Sequence, residues 1–358
     1  MVGRVRNMVI VLTLALMPLF LRAIEVGQVR ELAARHNVTS ILVFGDSSVD
    51  PGNNNVLRTI MKANFPPYGK DFFNGRPTGR FCDGRLPTDF IADAIGYKRF
   101  VPAFLDSNSK PLDLLHGASF ASAASGYDDL TANLSNVLPI SQQLEYLMHY
   151  KILLRKLVGE KRTNDIIRNA VFILSMGTND FLQNYFLHSV RSEQFSLLGY
   201  QNYLVSCMSR HIEALHRQGA TRMVAVGVPP LGCMPLVKTI MDKTTCVESY
   251  NKAASYFNSR MQQKLATLRT SLGMKIAYVD AYGIVEDAVN HPMKYDLEET
   301  SKGCCGTGTV EYGDSCKGLS TCTDPSKYVF WDAVHPTEKM YRIIADEALK
   351  SLSDELVS

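Results

Sequence analysis

The chain has 358 residues, of which 46% are hydrophobic and 20% are charged. This composition is typical of a packed globular protein and excludes an intrinsically disordered chain. Lysine and arginine number 38 against 35 aspartates and glutamates, but Arg4, Arg6 and Arg22 all lie near the start of the chain. Without those three arginines the charges balance, so we expect no affinity for nucleic acid.

Residues 1–23 have the pattern of a secretory signal peptide. Two arginines precede an apolar run from Met8 to Leu21, and the small residue Ala23 follows at a suitable cleavage position. The run is short for a membrane-spanning helix, so we expect no stable membrane anchor, with a retained anchor as the alternative. No repeat or Pro-, Gly- or Ser-rich linker divides the remainder, which predicts a single domain over residues 24–358.

Short apolar runs alternate with longer helical patterns along this domain. The strand candidates are rich in apolar and β-branched residues, and they are Ser40–Phe44, Leu114–Ala121, Ala170–Ser175, Met223–Val228 and Lys275–Val279. The helical patterns are Thr88–Ile95, Ser141–Val158, Gln201–Arg217, Val247–Leu272 and Pro336–Leu352. The alternation predicts an α/β fold with a mainly parallel central sheet and helices on both faces.

In open parallel sheets, ligands bind beyond the carboxyl ends of the strands. Ser47 follows the first strand candidate within a Gly-Asp-Ser tripeptide, where a nearby helix start can stabilise negative charge. The alternative is that Ser47 only caps a helix. A second Gly-Asp-Ser ends at Ser315, but no strand precedes it and cysteines surround it, so we discount that copy.

A serine hydroxyl needs a base to accept its proton, and the base needs an orienting group. Asp332 and His335 are three residues apart in Phe-Trp-Asp-Ala-Val-His-Pro, so a tight turn can place the carboxylate on the imidazole Nδ1. Nε2 then remains free for Ser47. Pro336 disfavours an α conformation at His335 and suits the first turn of the next helix. Asn179, after the third strand, can direct its amide at a developing oxyanion, or it is simply a turn residue.

Eight cysteines fit an oxidising compartment. Six of them lie late in the chain, at Cys233, Cys246, Cys304, Cys305, Cys316 and Cys322. Disulfides are favoured over a zinc site because no Cys-x-x-Cys or histidine pair occurs among them, and we expect at least two bonds. Sequons at Asn37 and Asn133 are candidate glycosylation sites and agree with secretion.

Together these strings resemble the plant-type GDSL esterases and lipases of the SGNH hydrolase superfamily. The resemblance covers essentially the whole mature chain, through Phe-Gly-Asp-Ser at 44–47 with Asn-Asn-Asn at 53–55, Gly-Arg-Phe-Cys-Asp-Gly-Arg at 79–85, Gly-Thr-Asn-Asp at 177–180 and Phe-Trp-Asp-Ala-Val-His-Pro at 330–336. It implies a three-layer α/β/α, flavodoxin-like fold and hydrolysis of carboxylic esters with neither cofactor nor metal.

The resemblance also assigns roles. Ser47 is the nucleophile, His335 the base and Asp332 its orienting group, while the backbone N–H of Ser47 and the side chain of Asn179 are oxyanion donors. The family's usual third donor is a glycine in Phe-Ala-Ser-x-Gly-x-Gly, but here Ala124 occupies that position. Its backbone N–H still serves unless the turn needs a positive φ, and Gly126 is the fallback donor.

A second departure from the family is Cys82, which stands where serine is commoner and either pairs or remains a free thiol. The sequence as a whole predicts a secreted serine hydrolase of small or lipid-like esters, located in the cell wall or apoplast if the source is a plant. An acyltransferase with the same triad is one alternative. A catalytically weakened binding protein is another, and only Ala124 favours it.

Overall fold

The computed structural model describes residues 27–355, so the signal peptide predicted over residues 1–23 lies outside the described residues. The strands are β1 (Ile41–Gly45), β2 (Gly117–Ser119), β3 (Val171–Ser175), β4 (Arg222–Val226), β5 (Lys275–Val279), β6 (Glu299–Gly303) and β7 (Tyr328–Phe330). The helices are α1 (27–35), α2 (Pro87–Ile95), α3 (Asp129–Leu134), α4 (Ile140–Asn169), α5 (Leu197–Arg217), α6 (Pro235–Ile240), α7 (Glu248–Leu272), α8 (Ala281–Asn290) and α9 (Glu338–Glu355).

The first five strands form one parallel sheet in the order β2-β1-β3-β4-β5. β1 pairs with β3 along its whole length, from Ile41 opposite Val171 to Gly45 opposite Ser175. Its other edge pairs with β2. The strand order therefore reverses at β1, and a crevice opens beyond the carboxyl ends of β1 and β3, where doubly wound sheets bind their ligands.

Helices cover both faces of this sheet. α5 packs against α4 and α7 on one face, and α9 packs against α2 and α8 on the other. Every residue of β1 is buried, because a strand covered on both faces has no solvent side. Phe44 stacks on Phe120 and Phe172 in neighbouring strands or loops. The predicted three-layer α/β/α architecture is confirmed.

The second strand is much shorter than its predicted range of 114–121. Leu114 lies in a 3-10 turn over Pro111–His116, and only Gly117–Ser119 pair with β1. The prediction extended too far because Leu114 of the turn and Phe120 and Ala121 of the following loop are apolar and buried, although they lie outside the strand. The other four predicted strands lie within two residues of their observed ends.

The helix predicted over 141–158 stops where glycine interrupts it. Gly159 has a φ of 79°, and helix resumes beyond it to Asn169. The last helix begins at Glu338 rather than Pro336, because Pro336 forms a bridge with Phe330. Within residues 27–355, no helix has both the length and the apolar character needed to cross a membrane.

Candidate active site

The crevice brings together the three predicted catalytic side chains. His335 Nε2 lies 2.9 Å from Ser47 Oγ, across a sequence separation of 288 residues. His335 Nδ1 lies 2.8 Å and 2.9 Å from the two carboxylate oxygens of Asp332. All three residues are buried, with Asp332 fully so. The geometry is that of a hydroxyl, a base and an orienting carboxylate in hydrogen-bonded series.

The turn between Asp332 and His335 is closed by the aspartate itself. Oδ1 of Asp332 accepts hydrogen bonds from the backbone N–H groups of Val334, at 2.9 Å, and His335, at 2.7 Å. The carbonyl of His335 accepts from the Trp331 N–H at 2.7 Å. The ring of Phe81 packs on the imidazole with centroids 4.8 Å apart. The imidazole is thus held by both hydrogen bonds and ring packing.

Tyr68 is a fourth member of this array that sequence reasoning missed. Its hydroxyl donates to Asp332 Oδ2 at 2.7 Å and accepts from the Gly313 N–H at 2.6 Å. Burial raises the pKa of Tyr68 well above its usual value, and the Asp332 carboxylate raises it further. The tyrosine therefore remains a neutral donor. Its only local signal is a Pro-Pro-Tyr-Gly string, and 264 residues separate it from Asp332.

The turn that carries Ser47 is held by Gly45 and Gln143. Gly45 has a φ of 152°, and a Cβ there would lie 2.1 Å from the Ser175 carbonyl oxygen, so only glycine fits. The Gln143 side chain bonds both the N–H and the carbonyl of Gly45 at 3.0 Å. Asp46 accepts from the Ser48 N–H at 2.9 Å. Burial raises the pKa of Asp46 to about 6.

The polar residues that follow Ser47 hold the loop after β2. Asp50 accepts from the Ala123 N–H at 3.0 Å, and Asn54 donates to the Ala123 carbonyl at 3.1 Å. Asn53 donates to the Ala121 carbonyl at 2.8 Å. The Asp-Pro-Gly-Asn-Asn-Asn string therefore acts on backbone rather than on substrate. It brings the loop of Ala124 next to Ser47.

Ala124 lines a shallow cleft together with Ser47, Asn179 and His335. Its φ is 70°, so the turn does require the left-handed conformation that glycine adopts more easily. Gly126 does not line this cleft, and a Cβ at its position would lie 2.2 Å from the Asp180 carboxylate. The geometry thus favours Ala124 over Gly126 as the third oxyanion donor.

Asn179 reaches the same cleft from the end of β3. Its Nδ2 donates to the Ser125 carbonyl at 2.9 Å, and an amide nitrogen carries a second hydrogen for the cleft. The next residue, Asp180, accepts from the Tyr127 N–H at 2.7 Å and from the Thr131 hydroxyl at 2.6 Å. Burial raises the pKa of Asp180 to about 7. This carboxyl ties the loops after β2 and β3 together.

Three disulfides lie around or near the crevice, and they join Cys233 to Cys246, Cys304 to Cys322, and Cys305 to Cys316. The prediction of at least two disulfides among these six residues is confirmed. Cys82 and Cys207 are free and buried. Ser315 is exposed, and its hydroxyl bonds only the backbone of Tyr312, as expected for the discounted tripeptide.

Comparison with known proteins places these features in a family. Residues 41–348 match the family described as GDSL-like Lipase/Acylhydrolase. A solved structure of LAE5, an alpha/beta hydrolase enzyme from the metagenome of Lake Arreo, Spain, is 11% identical, with a TM-score of 0.40 over 88% of this chain and 95% of that one.

Curated relatives from Arabidopsis thaliana are far more similar. GDSL esterase/lipase At5g45950 is 53% identical over 349 residues, covering 97% of this chain and 98% of that protein. GDSL esterase/lipase At5g45960 is 44% identical over 316 residues, covering 86% and 84%. GDSL esterase/lipase At2g42990 is 44% identical over 322 residues, covering 88% and 92%. The chain therefore belongs to the family of GDSL esterases and lipases, and it is an ester hydrolase.

Proposed function

We propose that this enzyme cleaves carboxylic esters of small or lipid-like acids through an acyl-enzyme on Ser47. The observation that carries the proposal is the 2.9 Å contact between Ser47 Oγ and His335 Nε2, with Nδ1 of the same ring on Asp332. A buried hydroxyl in contact with an oriented imidazole is equipped to lose its proton during attack on a carbonyl.

In the acylation step, Ser47 Oγ bonds to the ester carbonyl carbon while its proton moves to His335 Nε2. The tetrahedral oxyanion meets the backbone N–H groups of Ser47 and Ala124 and the free N–H of Asn179. Collapse breaks the bond to the alcohol oxygen, which takes the proton from His335. Water then attacks the acyl-enzyme by the same route, with His335 again as base, and releases the acid.

We also propose that the enzyme acts outside the cell, in the cell wall or apoplast if the source is a plant. Three disulfides are typical of proteins that fold in an oxidising compartment. The sequon residues Asn37 and Asn133 are both exposed, as glycosylation requires. The predicted signal peptide supplies the export route.

The decisive experiment compares two serine-to-alanine variants on p-nitrophenyl acetate. Ser47→Ala removes the nucleophile, so kcat should fall by roughly 10⁴-fold or more while the fold is retained. Ser315→Ala makes the same change in the second Gly-Asp-Ser tripeptide, at an exposed position, and should keep full activity. Full activity in a folded Ser47→Ala protein would rule out the proposed mechanism.

The same assay with added glycerol separates hydrolysis from acyl transfer. A hydrolase releases free acid as its main product, whereas an acyltransferase forms a new ester with the added alcohol. We expect free acid to dominate, because the cleft beside Ser47 is open to water at exposed Leu187.

A further inference from the structure

A second and deeper cavity extends from Ser47 into the interior of the protein. One wall consists of side chains from the sheet, including Ile173, Val224 and Val279. The opposite wall includes Ile344 and Ala348 of α9. The cavity therefore runs between the sheet and the helical layer of α2, α8 and α9, with Ser47 at its mouth.

The lining of this cavity is suited to hydrocarbon. Among its lining residues, Asp46, His335 and Tyr341 have the only titratable side chains. Asp46 and His335 belong to the catalytic crevice. Beyond them the walls are mainly valine, isoleucine, alanine, proline and methionine. A charged or strongly polar ligand would lose its hydration there without replacement, whereas an alkyl chain would gain from burial.

The dimensions fit a chain of medium length. Tyr341 and Ala348 both line the cavity and are seven residues apart, so it extends about 10 Å along α9. An extended carbon chain, with bonds of about 1.5 Å, covers that length with roughly eight carbons. The cavity volume is about 100 Å³. One water needs about 10–15 Å³ of cavity volume, so roughly seven to ten groups of similar size fit.

We infer that this cavity binds the acyl chain of the substrate, and that the preferred substrates are esters of unbranched acids of about six to ten carbons. The inference rests on the proposed function and names its substrate class. The acyl group stays on Ser47 between the two steps, so it can occupy a closed cavity. The alcohol must leave and water must enter, which suits the shallow cleft that reaches exposed Leu187.

The test is a series of p-nitrophenyl esters from acetate to dodecanoate, hydrolysed by the purified protein. Each added methylene that enters the cavity should raise kcat/KM about fourfold, up to roughly eight carbons. Longer chains should bring no further gain. A companion series of acetate esters, with alcohols of increasing length, should show a much weaker dependence.

Variants of α9 test whether this cavity causes the dependence of kcat/KM on acyl length. Ala348→Leu shortens the cavity, so the ratio of octanoate to acetate kcat/KM should fall at least tenfold. Ala345→Leu makes the same change at a buried position of the same helix that does not line the cavity, and it should preserve the ratio. Ile344→Ala enlarges the cavity and should move the optimum to longer chains, which keeps the test decisive if Ala348→Leu fails to fold.

Failure of this inference is distinguishable from failure of the proposed function. A wild-type protein that cleaves acetate but shows no rise with acyl length would overturn the acyl cavity and leave the triad intact. Strong dependence on alcohol length would assign the cavity to the alcohol instead, and would also overturn the inference. Absence of all esterase activity in the folded protein would count against the proposed function itself.

Discussion

The carboxylate of Asp332 is completely buried, yet both of its oxygens are satisfied. It accepts from the Tyr68 hydroxyl, from two backbone N–H groups of its own turn and from the imidazole of His335. A buried ionised carboxylate is costly unless hydrogen bonds replace its hydration. Tyr68 supplies the one donor that does not come from the turn itself. We therefore regard Tyr68 as a positioning residue for Asp332.

Tyr68→Phe tests this role. The change removes a hydrogen bond to a charged group and leaves the Gly313 N–H without its acceptor. A hydrogen bond to a charge contributes about 1.5–3 kcal/mol, so we expect kcat to fall roughly tenfold or more. KM should change little, because the hydroxyl contacts Asp332 and not the substrate. Kinetics on one ester measure both values.

Tyr328→Phe is the control for that experiment. Tyr328 packs against the same hydrophobic cluster as Tyr68, but within residues 27–355 the tyrosine that donates a hydrogen bond to Asp332 is Tyr68 and not Tyr328. It should retain the wild-type kcat. A Tyr68→Phe enzyme with an unchanged kcat, or one in which only KM rises, would show that the hydroxyl does not position the Asp332 carboxylate for the proposed mechanism.

Ala124 occupies a backbone conformation that is unfavourable for alanine. A residue with a Cβ loses roughly 1–2 kcal/mol in the left-handed region. Its methyl group recovers part of this loss by packing with Ala132, Val137 and Met61. The neighbouring Ala123 is held in place because its N–H donates to Asp50 and its carbonyl accepts from Asn54. The alanine is thus tolerated because packing and hydrogen bonds hold its loop in this conformation.

The oxyanion donors should respond differently to substitution. Asn179→Ala removes a donor that acts mainly on the tetrahedral intermediate, so kcat should fall roughly 10²–10³-fold with little change in KM. Ala124→Gly keeps its backbone N–H and relaxes the φ of 70°, so activity should be equal or higher. Steady-state kinetics distinguish these outcomes. A defect confined to KM in Asn179→Ala, or a large loss in Ala124→Gly, would contradict the assignment.

At the scale of elements, the cysteine-rich segment after β6 supports the strand that precedes Asp332. The Cys304 N–H bonds the Phe330 carbonyl at 3.1 Å, and the Cys305 N–H bonds the Trp331 carbonyl at 2.8 Å. The same segment supplies the Gly313 N–H that orients Tyr68. Its disulfides lie in one hydrophobic cluster with Tyr68 and Trp331. The segment therefore fixes Asp332, the proposed orienting carboxylate, from two directions.

Removing the Cys305–Cys316 bond should loosen this support. The double change Cys305→Ser and Cys316→Ser should lower the free energy of unfolding by about 2–4 kcal/mol. It should also lower kcat at temperatures where the protein remains folded, because Gly313 and Tyr68 lose their fixed positions. Thermal unfolding measures the change in stability, and steady-state kinetics at about 20–25 °C measure the change in kcat.

The Cys233–Cys246 bond provides the comparison, because it closes a loop of 13 residues against 11 for Cys305–Cys316. Its removal should destabilise the protein by a similar amount with a smaller loss of kcat. Equal losses of kcat in the two double variants would show that the cysteine-rich segment has no special relation to Asp332.

At the scale of the whole molecule, local sequence patterns predicted the features that depend on residues close together in the chain. The apolar runs predicted four of the five strands of the main sheet closely, since most residues of these four strands are buried. Strand ends then pointed to Ser47 and Asn179, and a spacing of three pointed to Asp332 and His335. These inferences needed only chain order and the rule that parallel strands end at one edge.

What the sequence did not predict depends on contacts between distant segments. Tyr68 meets Asp332 across 264 residues, and no periodicity marks such a pair. The positive φ of Ala124 follows from bonds that Asp50 and Asn54 make to the loop. The predicted range of β2 was too long because buried turns and buried strands have similar apolar compositions.

Burial also gives the molecule an expected dependence of stability on pH. Within residues 27–355, burial raises the pKa of four aspartates, to about 6 for Asp46 and Asp50 and to about 7 for Asp83 and Asp180. A folded-state pKa above the unfolded value means that the folded state binds the proton more tightly. This contribution to stability is complete below pH 4, roughly the unfolded pKa of aspartate. It is lost as the pH rises through the folded values of about 6 and 7.

We therefore expect the free energy of unfolding, measured in urea, to be larger at about pH 5 than at about pH 7.5, because these pH values lie below and above the raised pKa values. The difference should be on the order of 1 kcal/mol per aspartate. Asp83→Asn removes one titrating carboxyl that accepts from the Glu338 N–H, so the difference between the two pH values should shrink. Asp165→Asn changes an exposed aspartate that is not among the groups that shift the pKa of Asp83, and it should leave the difference unchanged. A protein that becomes more stable from the lower to the higher pH would show that these carboxyls are ionised in the fold, with their N–H donors outweighing the effect of burial.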